Sequence, residues 1–454
     1  MSKPDKSLVF VCQNCGKESL KWLGRCPDCQ EWNSFVETVL ATPSASSRPR
    51  SIGSPPQELS QVVSQVTDRS PLPLAEFNRV LGGGVVSGSL VLISGEPGIG
   101  KSTLLLQASA ATAQDKGRVV YISGEETPHQ IKLRAERLGL KGDGLYLLAE
   151  TDLEVIFNQI EQLSPALVVI DSIQTIYFPE LEAAPGSVTQ VRECTLRLMQ
   201  WAKVNAIPVF IAGHVTKDGS IAGPRVMEHI VDVVLYLEGE PFSAYRLLRC
   251  VKNRFGSTNE IGVFEMKEKG LLEVENPSRA FLSQRGEEAI GSAVVSTLEG
   301  SRPLLVEIQA LTTPTSFGLP RRTANGVDFN RLLLVTAVLT KRVGLRLGNQ
   351  DIMVNVIGGL KIGEPAADLG TALAIASSFR DTAVDPDLAA AGEVGLSGEL
   401  RAVSQPDRRV AEAARLGFKR CLMPKAGTAV SGSKDIEIIP VSTLKEAIGK
   451  GLVK

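Results

Sequence analysis

A glycine-rich segment of the chain ends in two side chains suited to holding a nucleotide phosphate and its metal ion. Residues 95–102 match the pattern G-x-x-x-x-G-K-[ST] at every fixed position. Backbone N–H groups of such a loop surround the phosphates, Lys101 supplies positive charge at the β- and γ-phosphates, and Ser102 offers a hydroxyl to Mg²⁺. The predicted ATP–Mg²⁺ site comprises Gly95, Glu96, Pro97, Gly98, Ile99, Gly100, Lys101, Ser102 and Thr103.

Polar residues that follow three apolar runs would supply the remaining chemistry of ATP hydrolysis. Asp171 ends one run in the manner of a Walker B strand and would hold Mg²⁺ through water. Glu125, with Glu126 as the second candidate, follows another run and would orient the attacking water. His214 follows a third and would either sense the γ-phosphate or be purely structural. In a chain that lacked the glycine-rich segment, each of these acids would be interpreted as an ordinary solvated turn residue.

Four cysteines near the start of the chain have the spacing of a structural zinc site. Two C-x2-C pairs stand ten residues apart, and the predicted ligands are Cys12, Cys15, Cys26 and Cys29. Four thiolates close the coordination sphere of a tetrahedral Zn²⁺, so no position remains for a substrate. A pair of redox dithiols is the alternative. Because so short a segment cannot form a sufficient core unaided, we expect the metal to fold it, with Trp22 and Trp32 packed around the site.

Two cations stand two residues apart where a later apolar strand is predicted to end. Lys252 and Arg254 would project from the same face of that strand, and Gly256 would then turn the chain. Such a pair suits an arginine finger that reaches the γ-phosphate bound by a neighbouring subunit. Contact with DNA and an ordinary solvated strand end are the alternatives, and composition alone favours the last.

Other basic residues are candidates for contact with DNA phosphates. Lys217 and Arg225 lie in a long, polar, glycine-rich stretch between two apolar runs, which predicts either a functional loop or a flexible surface loop. Between residues 317 and 348, six basic residues stand against the single acid Asp328, a local net charge of +5. The six are Arg321, Arg322, Arg331, Lys341, Arg342 and Arg346. A DNA-facing surface and helix-surface charge paired with acids elsewhere are equally compatible with this pattern.

Length and composition limit the class of protein. The 454 residues are too many for one compact core, and 49 basic against 50 acidic residues exclude a wholly basic DNA-coating protein. No apolar run is long enough to span a bilayer, and the first ten residues contain no apolar signal segment. We therefore expect a cytoplasmic protein with no membrane partner.

Short apolar runs alternate with amphipathic stretches along most of the chain, which predicts an α/β fold with a mainly parallel sheet. Strands are predicted at 90–93, 119–122, 167–170, 209–212 and 231–237, then a hairpin at 245–255 and 261–267, and later strands at 294–298, 304–310, 352–356 and 392–394. Helices are predicted at 103–113, 329–343, 369–377 and 407–416. The predicted parts are a zinc knuckle at 1–40, a Ser/Pro-rich linker at 41–57, and α/β domains at 58–280 and 281–454.

The order of these motifs resembles one bacterial family. The glycine-rich loop, the Ser-Gly-Glu-Glu turn at 123–126 and the strand ending in Asp171 resemble a RecA-type ATPase core. The sequence Lys-Asn-Arg-Phe-Gly at 252–256 is similar to the KNRFG motif of the RadA (Sms) family of DNA-repair proteins, and the resemblance covers essentially the whole chain. It implies an N-terminal C4 zinc finger, a RecA-like core and a C-terminal domain similar to the Lon protease.

The resemblance also implies partners and the roles of residues. It implies single-stranded DNA and branched recombination intermediates as substrates, a homohexameric ring like that of DnaB-type helicases, and the recombinase RecA and a replicative helicase as partners. In RecA-like rings the loop that corresponds to Lys217 and Arg225 faces the central DNA. DnaB-type helicases carry a similar pair of cations at the position of Lys252 and Arg254, which favours the finger.

The Lon-like domain lacks the residues of Lon proteolysis. Lon enzymes use a serine nucleophile activated by a neutral lysine. The corresponding positions here are Ala366, which has no nucleophilic atom, and Asp407, which cannot act as a neutral amine. The fold is therefore expected without peptidase activity.

Three functions remain for comparison. The first is a DNA-dependent ATPase of DNA repair and recombination that moves along single-stranded DNA or drives branch migration. The second is an ATP-dependent protease or unfoldase, which the missing Ser–Lys dyad disfavours. The third is a nucleotide-gated scaffold or clock protein, which would not need the KNRFG cations.

Overall fold

The structure is a computed structural model that describes residues 6–12, 17–41, 58, 69–214, 224–239, 243–282, 289–316, 318–426 and 435–453. The chain divides into two compact units, one of residues 1–238 with 246–273 and the other of residues 239–245 with 274–454. Residues 42–57 of the predicted linker lie outside the described residues. The four-part division remains a prediction.

A small antiparallel sheet carries the first cysteine. It consists of β1 (Lys6–Cys12), β2 (Glu18–Ser19) and β3 (Phe35–Ala41), in the order β2-β1-β3. Cys12 ends β1 opposite Phe35, and both are buried together with Cys26. Trp22 and Trp32 are 52% and 67% exposed, so neither is a buried core residue, although Trp22 donates its indole N–H to the carbonyl of Phe35 at 3.2 Å. The core of this segment is therefore three cysteines and a few apolar side chains.

The first unit continues with eleven strands and six α-helices among the described residues. They are β4 (Arg69–Ser70), α1 (Ala75–Leu81), β5 (Val85–Val86), β6 (Leu90–Gly95), α2 (Lys101–Lys116), β7 (Val119–Ser123), α3 (Pro128–Arg137), β8 (Leu145–Leu148), α4 (Leu153–Leu163), β9 (Leu167–Asp171), α5 (Val188–Asn205), β10 (Val209–His214), α6 (Pro224–Ile230), β11 (Val233–Glu238), β12 (Tyr245–Asn253), β13 (Ile261–Lys267) and β14 (Gly270–Glu273).

A nine-stranded sheet in the order β14-β13-β12-β11-β6-β10-β9-β7-β8 forms the centre of this unit. The strands from β11 to β8 pair in parallel, and β12 and β14 each run antiparallel to a neighbour. Successive residues of β6 pack into two different apolar clusters: Val91 and Ile93 into one, Leu90 and Leu92 into the other. Burial on both faces explains why these strands are continuously apolar rather than alternating.

The predicted strands of this unit are present, with ends that differ by at most two residues. The predicted helix at 103–113 is α2, which begins two residues earlier and ends three later. Two strands of the nine-stranded sheet were not predicted, namely β8 and β14, which are four residues each and lie at its two edges; the two-residue strands β4 and β5, which pair with each other outside this sheet, were not predicted either. The RecA-like α/β core with a mainly parallel sheet is thus confirmed.

The second unit is a further α/β domain. Its elements are α7 (Pro277–Leu282), β15 (Ser292–Glu299), β16 (Arg302–Pro314), β17 (Arg322–Asn325), α8 (Phe329–Val338), β18 (Gln350–Val356), α9 (Asp368–Arg380), β19 (Leu388–Ala390), β20 (Glu393–Val394), β21 (Leu400–Arg401), α10 (Pro406–Arg415), β22 (Arg420–Pro424), β23 (Glu437–Val441) and α11 (Leu444–Gly451). A seven-stranded sheet runs in the order β17-β18-β16-β15-β19-β22-β23.

One predicted helix of this unit is not continuous. The segment predicted as a helix at 329–343 is α-helical to Val338 and then forms a π-helical turn, Leu339–Val343. Gly344, at a φ of 88°, ends the turn and donates its N–H to the carbonyl of Leu339. Sequence periodicity could not separate the two kinds of helix, because both place apolar residues on the buried face.

Candidate active site

The glycine-rich loop joins β6, in the middle of the sheet, to α2. Gly95 has a φ of 156°, and a Cβ there would lie 2.4 Å from the carbonyl oxygen of Leu237. Gly100 caps α2 at a φ of 115°, in the left-handed region that favours glycine. These two positions therefore need glycine for the close approach and the turn, and the N-terminus of α2 faces the loop as in a phosphate-binding site.

Lys101 is almost completely buried at the start of α2. Its ammonium group donates hydrogen bonds to the carbonyl oxygens of Gly95 and Glu96, at 2.8 and 3.0 Å. Burial lowers the pKa of Lys101 from 10.5 to about 8, against the opposing charges of Asp171 and Glu125. The loop thus holds a charged donor beside the two predicted catalytic carboxylates.

Asp171 lies at the carboxyl end of β9, as predicted. Its Oδ2 accepts a hydrogen bond of 2.5 Å from the hydroxyl of Tyr121 on the neighbouring strand β7. Burial and the carboxylate of Asp171 raise the pKa of Tyr121 well above its ordinary value, so the phenol stays protonated and donates. The sequence offered no signal for Tyr121, which adjoins Asp171 only because β7 and β9 pair.

The two adjacent glutamates after β7 have different partners. Glu125 is exposed, and its Oε1 accepts a hydrogen bond of 2.8 Å from the hydroxyl of Ser172, the residue after Asp171. Glu126 instead forms an ion pair with the half-buried Arg134 of α3. Glu125 is therefore tied to the end of the Walker B strand, whereas Glu126 faces the helix.

A helix cap fixes the position of the glutamate turn. The side chain of Thr127 accepts from the N–H of Gln130, whose own side chain accepts from the N–H of Thr127, and Pro128 begins α3. This reciprocal capping box satisfies N–H groups that would otherwise lack partners at the helix start. It anchors the chain two residues after Glu125.

His214 ends β10, and its backbone pairs with Gly95 in the parallel sheet. This register brings the end of β10 beside the start of the glycine-rich loop. The side chain of His214 lies outside what the structure describes, so its role as a sensor stays a prediction.

Three of the four predicted zinc ligands converge. The sulfur atoms of Cys12, Cys26 and Cys29 all lie within 4.8 Å of one another, and those of Cys12 and Cys29 are 3.6 Å apart. Thiolates on one tetrahedral Zn²⁺ are separated by about 3.8 Å, given a Zn–S bond of about 2.3 Å. The three residues thus fit the group. Cys15 lies outside the described residues.

The KNRFG cations both reach the end of α6, on the same side of β12. The ammonium of Lys252 donates to the carbonyl oxygens of Glu228 and Val231, at 2.5 and 2.8 Å. Arg254 donates to the carbonyl of His229 at 3.2 Å, and its guanidinium pairs with Asp232 at 3.0 Å. Both cations therefore bind the C-terminal end of α6, which directly follows the loop predicted to face DNA.

The candidates for DNA contact divide into two groups. Arg331 forms a two-point ion pair with the buried Asp368, and Arg322 donates to the carbonyls of Leu347 and Gln350. Arg331 is therefore paired with an acid elsewhere in the chain, the alternative to a DNA-facing role. The exposed members of the six are Arg321, Lys341, Arg342 and Arg346. Lys217 and the side chain of Arg225 lie outside the described residues.

Buried ion pairs flank the position of the absent Lon nucleophile. Ala366 is 2% exposed, and two residues before it Glu364 pairs with Arg409, a side chain with no exposure. Arg409 also donates to the carbonyls of Ser296 and Ser404, at 2.6 and 2.8 Å. Asp407 is exposed at the start of α10. A buried, saturated guanidinium near Ala366 provides no neutral base.

Comparison with known proteins identifies the family. The chain is 55% identical to the DNA repair protein RadA of Halalkalibacterium halodurans and 54% identical to that of Bacillus subtilis, in each case over 98% of both chains. It is 52% identical to RadA of Listeria monocytogenes over the full length of both. The chain belongs to the RadA family of DNA repair proteins.

Models of three domain families match in the order expected of a RadA protein. Residues 10–37 match a rubredoxin metal-binding domain, residues 54–220 an AAA domain, and residues 317–427 the subunit ChlI of magnesium chelatase. A KaiC-like protein of Pyrococcus horikoshii aligns with 46% of the chain at 20% identity and a TM-score of 0.39. The RadA relatives and the three family models confirm the resemblance to RadA and the predicted fold class. No helix among the described residues of the chain is long and apolar enough to cross a membrane.

Proposed function

We propose that the chain is a DNA-dependent ATPase of DNA repair and homologous recombination. The observation that carries the proposal is the convergence of three groups at the carboxyl ends of the parallel strands. They are Lys101 on the loop, Asp171 at the end of β9, and Glu125, which is hydrogen-bonded to Ser172. A charged donor, a metal-holding carboxylate and a carboxylate that orients water are the parts required for phosphoryl transfer to water. Membership of the RadA family supports a role in DNA repair.

Each residue has one task in this mechanism. Lys101 and the N–H groups of residues 98–103 bind the triphosphate, and Ser102 and Asp171 would hold Mg²⁺, which neutralises charge on the β- and γ-oxygens when bound. Tyr121 orients Asp171 through its hydroxyl. Glu125 accepts a proton from the attacking water, and Ser172 orients its carboxylate. Glu126, paired with Arg134, maintains the turn rather than acting on water.

DNA would be bound by the basic residues that remain exposed. Arg321, Lys341, Arg342 and Arg346, together with Lys217 and Arg225, would contact the phosphates of single-stranded DNA. By analogy with the RecA-like and DnaB-type rings that the chain resembles, it would act as a homohexamer on branched recombination intermediates. ATP turnover would then drive translocation or branch migration, with RecA and a replicative helicase as partners. Zn²⁺ held by the four cysteines would be structural.

The alternative of an ATP-dependent protease is disfavoured by residues of the second unit. Restoring the dyad with Ala366→Ser and Asp407→Lys should still give no peptidase activity, because an exposed lysine at 407 keeps its proton. Cleavage of casein by the wild-type protein, blocked by a serine-directed reagent, would revive the alternative. The ATPase proposal itself is tested by ATP hydrolysis measured with and without single-stranded DNA.

A further inference from the structure

A cleft of about 590 Å³ opens directly beside the end of the glycine-rich loop, within the first unit. One wall is Thr103, the last residue of the predicted phosphate-binding segment. The rest of the lining is the β13–β14 hairpin from Met266 to Gly270 and the end of α3 at Arg137 and Leu138. A volume of this size is typical of sites for small organic ligands.

The hairpin is fastened to the helix that follows the loop. The side chain of Gln107 on α2 accepts from the N–H of Leu271 at 2.9 Å and donates to the carbonyl of Leu271 at 3.2 Å. A Cβ on Gly100 would lie 2.8 Å from the terminal methyl of Met266, so hairpin and loop are in close contact. The cleft therefore keeps a fixed position relative to the predicted phosphate site.

The side chains that line the cleft suit a flat, uncharged ring attached to a polyphosphate. Met266 and Leu138 offer apolar surface, and a thioether packs favourably against an aromatic edge. Arg137 is exposed and has no hydrogen bond or ion pair among the described residues, which leaves its planar guanidinium available to stack on a ring. Lys267 pairs with Glu265 at 2.9 Å, so Arg137 and Lys269 stand against Glu268 in the lining of the cleft, a balance that favours an anionic ligand.

We propose, on the basis of the nucleotide-binding function proposed above, that this cleft holds the base and ribose of the nucleoside triphosphate and that Arg137 stacks on the base. The position beside Thr103 places the cleft where the nucleoside must lie once the phosphates occupy the loop. Stacking accepts any base, because every base has a π-face. The buried part of the cleft wall, Leu138 and Gly270, offers no side-chain donor or acceptor that would select a purine. Adenine and uracil nucleotides are therefore bound with affinities within about tenfold of each other.

Titration calorimetry with Mg²⁺ and three probes tests this assignment: ATP, UTP and inorganic tripolyphosphate. The wild-type protein should bind ATP and UTP at least tenfold more tightly than tripolyphosphate. Arg137→Ala should weaken ATP and UTP by roughly three- to thirtyfold, the range of a desolvated cation–π contact, and leave tripolyphosphate unchanged. Arg137→Lys, which keeps the charge without the planar face, should recover only part of the loss. Lys141→Ala removes an exposed cation outside the cleft and should change none of the three.

Several results would overturn the inference. Equal weakening of ATP and tripolyphosphate by Arg137→Ala would mean that Arg137 acts only as a charge near the phosphates. An unchanged affinity of Arg137→Ala for ATP would also contradict it. So would a preference of the wild-type protein for ATP over UTP of a hundredfold or more. If instead the wild-type protein binds no triphosphate, or Lys101→Ala binds as well as the wild type, the proposed ATPase function fails. If Lys101→Ala weakens the binding of ATP but Arg137→Ala does not, the assignment of the nucleoside site is overturned and the proposed ATPase function is unaffected.

Discussion

The guanidinium of Arg254 pairs with the carboxylate of Asp232 in the same chain, at 3.0 Å. Asp232 is 1% exposed and also accepts a hydrogen bond from the N–H of Leu90 at 3.2 Å, at the start of the strand that leads to the glycine-rich loop. Lys203 lies 3.6 Å from the same carboxylate. Arg254 is thus connected to the strand that carries the loop, while its side chain stays 44% exposed and able to reach another molecule.

Arg254→Ala distinguishes a finger supplied to a neighbouring subunit from a role within the chain. A finger acts at the transition state, so nucleotide binding should survive while hydrolysis falls by about 10³-fold. Mixing this variant with Lys101→Ala subunits should then restore some activity, because a mixed interface pairs an intact loop with an intact finger. The measurement is steady-state ATP hydrolysis across mixing ratios.

The matched control is Lys203→Ala, which removes the other cation beside Asp232. If Arg254 acts only by pairing with Asp232, both variants should lower the free energy of unfolding, by about 1–3 kcal/mol for Arg254→Ala, and mixing should restore nothing. Unchanged basal hydrolysis in Arg254→Ala, with weaker DNA binding and a shallower salt dependence, would instead make it a contact to DNA.

Glu125→Gln should bind ATP normally and lose roughly 10²- to 10⁴-fold in hydrolysis rate, the contribution of a positioned general base. The amide keeps an oxygen that can accept from Ser172, so the fold and the turn should persist. Single-turnover hydrolysis and nucleotide titration together measure the two effects.

Glu126→Gln is the control for that substitution, since it changes the adjacent residue in the same way. Loss of the Glu126 carboxylate removes the ion-pair partner of Arg134, so the variant should be less stable but should retain most of its ATPase activity. Full activity in Glu125→Gln combined with a large loss in Glu126→Gln would reverse the assignment of the two glutamates.

The lowered pKa of Lys101 predicts a dependence of stability on pH. Because the folded-state pKa, about 8, lies below the ordinary 10.5, the folded protein releases this proton before the unfolded chain does. The charged lysine therefore costs stability below pH 8, on the order of 3 kcal/mol, and that cost is relieved as pH rises from about 8 to 10.5. Lys101→Met should be more stable than the wild type at pH 7, with a difference in denaturation midpoint that shrinks over that range. A constant difference would contradict the shift.

Cys26→Ser should remove the zinc and unfold the first forty residues, because the incomplete set of thiolates no longer closes the site. Metal analysis of protein purified without chelator should find one zinc per chain in the wild type. Cys194→Ser, which changes a buried thiol outside the cluster, should leave the metal content unchanged. Wild-type protein free of zinc would refute the assignment of the four cysteines.

The parts of the site that depend on local sequence could be predicted, and the parts that depend on pairing across the sheet could not. The loop at 95–102, Asp171 and Glu125 each belong to a short motif that carries its chemistry in order along the chain. Tyr121 bonds to Asp171, 50 residues away, and Asp232 pairs with Arg254, 22 residues away. No rule of sequence spacing identifies either pair. Likewise Arg331 was a candidate for DNA contact because its charge is visible in the sequence, whereas its pairing with Asp368 requires the fold.

Helix and strand interiors followed the apolar pattern, and the exceptions have physical causes. The edge strands β8 and β14 are too short to show a period, and the sheet stabilises them more than their own sequence does. Trp22 and Trp32 looked like core residues because large aromatic rings are usually buried, yet the cysteine cluster is too small to cover them.

Steady-state ATP hydrolysis in the presence and absence of single-stranded DNA tests the central claim most directly. We expect wild-type protein with Mg²⁺ to hydrolyse ATP and single-stranded DNA to raise the rate several-fold. High salt should abolish the increase, because the contacts are to phosphates. Lys101→Ala, folded as judged by circular dichroism, should hydrolyse nothing under either condition. A folded wild-type protein whose hydrolysis is unaffected by DNA at low salt, or a Lys101→Ala variant with near-normal turnover, would contradict the account.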